Sequence, residues 1–187
     1  MRKQYYLMLF FLLAIAQLWV AGSTIFRQEQ ILKKGRAYRF KTAPVDPTDP
    51  FRGKYITLRF EAERYETRDS SGWANGARAF VYPYTDGEGF AQIDRLSKTP
   101  PQDNEVDYFE ARVDYFSYYD DYGIVDLRFP FDRFYMEETK APEAEKAYRQ
   151  ALNEENQTIY ALVYVKNGEC VLEDVKIGER SIREVVD

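Results

Sequence analysis

The stretch QYYLMLFFLLAIAQLWVAGSTIF, Gln4 to Phe26, contains no charged residue, and Arg2 and Lys3 stand just before it. About 23 residues at 1.5 Å each exceed the ~30 Å of a bilayer's hydrocarbon core. After Arg27 the chain becomes charged, aromatic and strand-like. The expected layout is therefore an N-terminal transmembrane helix, residues 1–26, followed by a β-rich α+β domain, residues 27–187. That domain is expected to hold mainly antiparallel strands and one late α-helix.

A signal peptide shares the basic start and apolar run. Ala14-Ile15-Ala16 fits a small-x-small cleavage pattern, and Val20-Ala21-Gly22 fits it less well. Cleavage after Ala16 would leave an apolar region of only Tyr5 to Leu13, yet the run continues through Leu18, Trp19 and Val20 to Phe26. An uncleaved anchor is the favoured reading and a cleaved signal the alternative. There is no Leu-x-Gly-Cys pattern for lipid attachment. Orientation signals conflict. Arg2 and Lys3 favour an inside N-terminus, whereas Arg27, Lys33, Lys34, Arg36, Arg39 and Lys41 pull the other flank toward the cytoplasm. The short basic start is the usual export layout, so the domain is expected outside. The basic flank at 27–41 either touches anionic headgroups or is simply solvated.

The formal net charge is −5. Removing Arg2 and Lys3 leaves 24 basic against 31 acidic residues, or −7. An acidic domain is a poor ligand for nucleic acid. The chain has no histidine and one cysteine, Cys170. Ser-His and Cys-His nucleophiles are therefore impossible within it, and zinc catalysis is disfavoured. Cys170 reads as an inert core thiol. No cofactor and no metal site is expected, and the pattern points to a non-enzymatic protein.

Residues 54–63 alternate, with Ile56, Leu58, Phe60 and Ala62 on one side and Thr57, Arg59, Glu61 and Glu63 on the other. That predicts a half-buried strand. Further strands are predicted at 36–42, 78–84, 89–95, 108–116, 122–129 and 132–136. Residues 158–166 are apolar on both sides and predict a central strand. Asn167-Gly168 then predicts a hairpin into 169–177. Ala144, Ala147, Tyr148, Ala151 and Leu152 recur at helical spacing after Pro142, with Glu145 and Arg149 four apart, so a helix is expected to end near Asn153 to Asn156. Flexible loops are expected at 66–76 and 97–106.

Residues 43–60 read APVDPTDPFRGKYITLRF. Pro44, Pro47 and Pro50 stiffen the entry, Asp46 and Asp49 suit turn capping, and Gly53 permits a tight bend. This stretch resembles the GDYXXLXY family of membrane-anchored bacterial proteins. Pro44-Val45-Asp46-Pro47, Asp49, Arg52-Gly53, Tyr55 and Leu58 match its pattern, while Lys54 replaces the motif aspartate and Phe60 the final tyrosine. Tyr122 to Glu138 is similar to the family's aromatic segment, and Asn167 to Asp174 to its closing hairpin. The resemblance implies an inner-membrane anchor, a periplasmic β-rich domain and a multi-span membrane partner, with no assigned chemistry. Lys54 argues against a universal catalytic aspartate in the motif.

Two surfaces emerge as candidates. In the first, Asp46, Asp49, Arg52 and Tyr55 form either a patch where Arg52 binds a partner's carboxylate or phosphate, or an internal brace. In the second, Tyr115, Tyr118 and Tyr119 lie among Asp107, Asp114, Asp120 and Asp121. They form either a sugar-binding surface or an aromatic strand pair with a polar turn; the spacing does not fit a calcium loop. The favoured function is an interaction or accessory subunit of a membrane complex. The alternatives are an envelope glycan-binding module and, more weakly, a hydrolase using carboxylates such as Asp46 and Asp49. Arg52-Gly53 with Tyr55-Ile56 is similar to part of the Arg-Gly-Asp-x-Val box of signal peptidases, but their Ser-Met-x-Pro segment and its lysine are missing.

Overall fold

A computed structural model describes residues 2–44, 55–68, 72–102, 106–137, 139–152 and 157–185. The first helix, α1, spans Arg2–Lys34 and does not stop where the uncharged run ends. It is long and apolar enough to cross a membrane, a description that a signal sequence also meets, and none of its most apolar window is buried. Its last turns dock on the domain. Ile31 is buried, and Arg27 pairs with Glu169 at 3.2 Å. Gly35 follows the helix at a point where only glycine fits, because a Cβ there would lie 2.5 Å from the Ile31 carbonyl and 3.0 Å from that of Val165.

The strands are β1 (Arg36–Lys41), β2 (Tyr55–Thr57), β3 (Arg64–Thr67), β4 (Arg78–Thr85), β5 (Ala91–Ser97), β6 (Phe109–Tyr118), β7 (Gly123–Arg128), β8 (Arg133–Tyr135), β9 (Ile159–Lys166), β10 (Glu169–Ile177) and β11 (Arg180–Ser181). Helices α2 (Ala141–Leu152) and α3 (Ile182–Val185) complete the chain. The strands form a five-stranded sheet, β3-β7-β6-β4-β5, a four-stranded sheet, β1-β9-β10-β11, and a β2-β8 ribbon, all with antiparallel pairing. This is the expected α+β class.

The inner sides of both large sheets supply one core. At its centre Phe40, Phe60, Phe109, Phe129 and Phe131 meet, with ring centroids 5.1–6.0 Å apart. Edge-to-face rings at this spacing gain a quadrupole attraction in addition to burial. α2 turns Ala141, Ala144, Tyr148 and Ala151 inward, and its small side chains let the helix approach closely. Its Glu145–Arg149 pair forms as expected, while residues 153–156, its expected end, lie outside the described residues.

The strand predicted at 54–63 is corrected. Only Tyr55–Thr57 is a strand, paired with β8, and a one-turn 3-10 helix follows at Glu61–Glu63. The alternation still marks the buried side, since Ile56, Leu58, Phe60 and Ala62 are all core. What breaks is the ladder, because successive backbone groups bond to different neighbours. Leu58 N–H donates to Asp132 O, Ala43 N–H to Arg59 O, and Phe60 bridges Thr42. Glu63, expected on the outer side, is buried. The 66–76 stretch is likewise not all loop, because Glu66 and Thr67 pair with β7 and Trp73 is buried. The strand expected at 89–95 starts two residues later, because Asp86 accepts the Glu88 and Phe90 N–H groups and holds a turn up to Phe90. The central strand and its hairpin are as expected. β9 lies between β1 and β10, and Asn167 (φ 50°) and Gly168 (φ 86°) make the turn.

Candidate functional site

Of the proline-rich turn, Pro44, Tyr55 and Leu58 can be placed. Asp46, Pro47, Asp49, Arg52 and Gly53 lie outside the described residues. Pro44 is exposed and Leu58 fully buried. Tyr55 is half-buried on the β2-β8 ribbon, where its ring faces that of Tyr135 at 5.5 Å and the Arg133 guanidinium lies 5.0 Å from it. Tyr135 is 60% exposed. The ribbon therefore carries an open Tyr55-Tyr135-Arg133 patch, built of residue types that favour protein contacts. Tyr135 and Arg133 are not marked as site residues by the sequence, since only the β2-β8 register brings them to Tyr55.

Tyr115, Tyr118, Tyr119 and Tyr122 are all exposed, between 42% and 55%. They do not share one face. A Cβ at Gly123 would touch both Phe116 and Tyr118, so those two rings lie on one side of β6, and strand alternation sends Tyr115 to the other. Tyr119 instead stacks on Tyr122 at 5.4 Å across the hairpin tip, with exposed Asp120 and Asp121 between them in sequence. The tip is a two-ring platform, and Tyr115 and Tyr118 flank it.

The acidic residues of this region disperse. Asp107 accepts a hydrogen bond from Tyr38 Oη at 2.9 Å and lies 3.8 Å from Arg36. Asp114 accepts two hydrogen bonds from Arg128 and lies 3.7 Å from Arg59. Asp120 and Asp121 sit at the tip. Among the described residues no three His, Cys, Asp or Glu side chains converge as a metal site.

One titrating group was hidden in the sequence. Glu63 accepts hydrogen bonds from the Phe60 and Phe129 N–H groups, both at 3.2 Å, and Arg59 lies 3.5 Å away. Burial pushes its carboxyl up to about 7, against the lowering by the two backbone donors and Arg59. Arg59 thus touches both Glu63 and Asp114, and Asp114 links on to Arg128. The buried end of this chain splices the 3-10 turn to the Phe129 backbone, which is a brace. Cys170 is half-buried, and burial, helped by Glu169, pushes its thiol up to about 12. It carries no thiolate at neutral pH.

The basic flank after the apolar run is largely neutralised within the fold. Arg27 pairs with Glu169, Lys33 with Glu29, Arg36 with Asp107 and Lys41 with Glu88. Arg39 lies over the Tyr160 ring.

No curated protein and no solved structure matches the chain. Residues 17–175, running from the middle of α1 to near the end of β10, match the model of the GDYXXLXY protein, and the chain belongs to the GDYXXLXY family.

Proposed function

We propose that this protein is an uncleaved, single-pass accessory subunit of a membrane complex, with residues 27–187 on the periplasmic side of the inner membrane. The observation that carries this reading is the continuity of α1. One helix contains the apolar run and ends in turns packed on the β9-β10 hairpin. Cleavage after Ala16 would leave Leu18, Trp19, Val20, Ile25 and Phe26 on the domain's leading helix, each more than 60% exposed. A patch of that kind on a released domain invites aggregation. In a membrane it is solvated by lipid.

In this reading the contact surface for a multi-span partner is the 44–55 turn together with the Tyr55-Tyr135-Arg133 patch, the aromatic 115–122 surface, or both. A second reading, an envelope glycan-binding module, is favoured by one observation, the exposed Tyr119–Tyr122 stack next to two carboxylates. Neither reading assigns a reaction to the chain.

The test is crosslinking of the full-length protein in its native membrane, followed by gentle extraction and mass spectrometry. A stoichiometric multi-span protein, lost in Arg52→Ala and in Tyr135→Ala, is the expected result. Peptidoglycan fragments retained without a protein, and lost in Tyr119→Ala, would replace the first reading with the second.

A further inference from the structure

Three arginines stand in one row across the five-stranded sheet. Arg78 of β4 is the register partner of Arg112 in β6, and Arg112 is the partner of Arg128 in β7. All three are exposed, on the side of the sheet opposite the inward-facing Phe109, Ala111 and Val113. Neighbouring strands are about 4.8 Å apart, and like charges directly opposite one another repel. The two ends of the row are compensated. Arg78 lies 3.8 Å from Glu110, and Arg128 donates to Asp114 at 2.9 Å. Arg112, in the middle, forms no ion pair among the described residues.

The location of this surplus charge identifies its ligand. Arg112 and Arg128 line a cleft of about 520 Å³ whose opposite wall is α1, through Thr24, Arg27, Gln28 and Ile31. Each acid lining the same cleft already has an ion-pair partner: Glu169 pairs with Arg27 of the helix wall, Glu110 with Arg78 and Asp132 with Arg133. The uncharged run ends at Phe26, so the cleft begins where the helix leaves the hydrocarbon. Thr24 to Ile31 covers about 10 Å of helix. The polar layer on each side of a bilayer is roughly 5–8 Å thick. The cleft therefore opens at the depth of the lipid phosphates, with one uncompensated guanidinium inside.

We propose that this cleft is a headgroup site for one anionic phospholipid, whose phosphodiester accepts hydrogen bonds from Arg112, with Arg27 and Arg128 at its flanks. The net single negative charge of such a lipid matches Arg112, the one lining arginine with no ion-pair partner among the described residues, and a planar guanidinium suits phosphate oxygens. The inference rests on α1 as a membrane anchor.

The experiment places the full-length protein in nanodiscs of equal phosphatidylglycerol and phosphatidylcholine, and counts retained lipids by native mass spectrometry. The wild type is expected to retain phosphatidylglycerol over phosphatidylcholine by about tenfold, because phosphatidylcholine carries the same phosphodiester but its choline ammonium cancels the charge that meets Arg112. Arg112→Gln loses that preference, and so does Gln28→Trp, which fills the helix wall without changing charge. Lys146→Gln, on the exposed side of α2, keeps it. Equal retention of both lipids by the wild type, or an unchanged preference in Arg112→Gln, overturns the proposal. Displacement of the lipid by ~10 mM inorganic phosphate, with equal affinity for both, would reassign the site to a free anion and also overturn it. A protein that enters no nanodisc would overturn the anchor reading as well, whereas a protein that enters without lipid preference overturns only the headgroup site.

Discussion

The phenylalanine cluster and the tyrosine hairpin are both dense aromatic regions on strands and their connecting turns, with opposite environments. Phe40, Phe60, Phe109, Phe129 and Phe131 are at most 4% exposed, whereas Tyr115, Tyr118, Tyr119 and Tyr122 are at least 42% exposed. The hydroxyl accounts for part of the division. A buried phenylalanine has no polar group to satisfy, while a buried tyrosine needs a partner for its O–H. Tyrosine is not confined to the surface, because Tyr38, Tyr82, Tyr148 and Tyr160 are buried. Tyr38 lies among the phenylalanines, and its hydroxyl donates to Asp107. Aromatic density alone therefore does not distinguish core from surface in this chain.

Four measurements would break or sharpen this comparison. The largest effect belongs to the cluster centre. Phe40→Ala is expected to lower stability by about 3–5 kcal/mol, read by denaturant titration of the full-length protein in micelles. A loss under ~1 kcal/mol would mean that the five rings do not form the core, given this usual cost.

Next comes Glu63, which braces the cluster's rim. Its folded carboxyl titrates near 7 against an ordinary 4.5, so the folded state holds a proton that the unfolded chain has already released. Stability from this group is fully present below pH 4.5 and falls as pH rises to 7, by about 3 kcal/mol. Glu63→Gln removes that slope, so the variant should gain on the wild type across this window. Parallel pH profiles would place Glu63 in water.

Cys170→Ser is expected to cost about 1 kcal/mol, because a half-buried thiol becomes a hydroxyl. In the folded wild type the thiol should react with iodoacetamide only slowly at pH 8, and rapid labelling would show that it is not shielded. The smallest effect is at the hairpin tip. Tyr119→Ala should change stability by no more than about 0.5 kcal/mol, as surface substitutions usually do. A loss of several times that would make the tip part of the fold and weaken its case as a binding platform.

Much of the architecture was legible because it depends on local patterns. The β9-β10 hairpin was signalled by a two-sided apolar run ending in Asn167-Gly168, whose left-handed backbone angles suit that dipeptide. Helix α2 was signalled by its alanine spacing. The 54–63 segment was half legible: alternation reported which side chains are buried, but not which neighbours take the backbone bonds. Alternation places Glu63 on the outer side for the same reason, because its partners at Phe60 and Phe129 close around it only in the fold. Of the candidate surfaces, Tyr115, Tyr118 and Tyr119 were recognisable as a cluster, yet their faces depend on the packing of Phe116 and Tyr118 at Gly123.

By itself the sequence determined a single long apolar helix, a β-rich acidic domain, the family, and a chemistry without histidine. These follow from composition, period and short motifs, which act along the chain. Only the tertiary structure decided that the basic flank pairs with Glu169, Asp107 and Glu88, that Tyr135 joins Tyr55, and that Arg78, Arg112 and Arg128 form one row. Those residues lie far apart in sequence, and strand register together with the docking of α1 and the placing of the turns sets which charges and rings become neighbours.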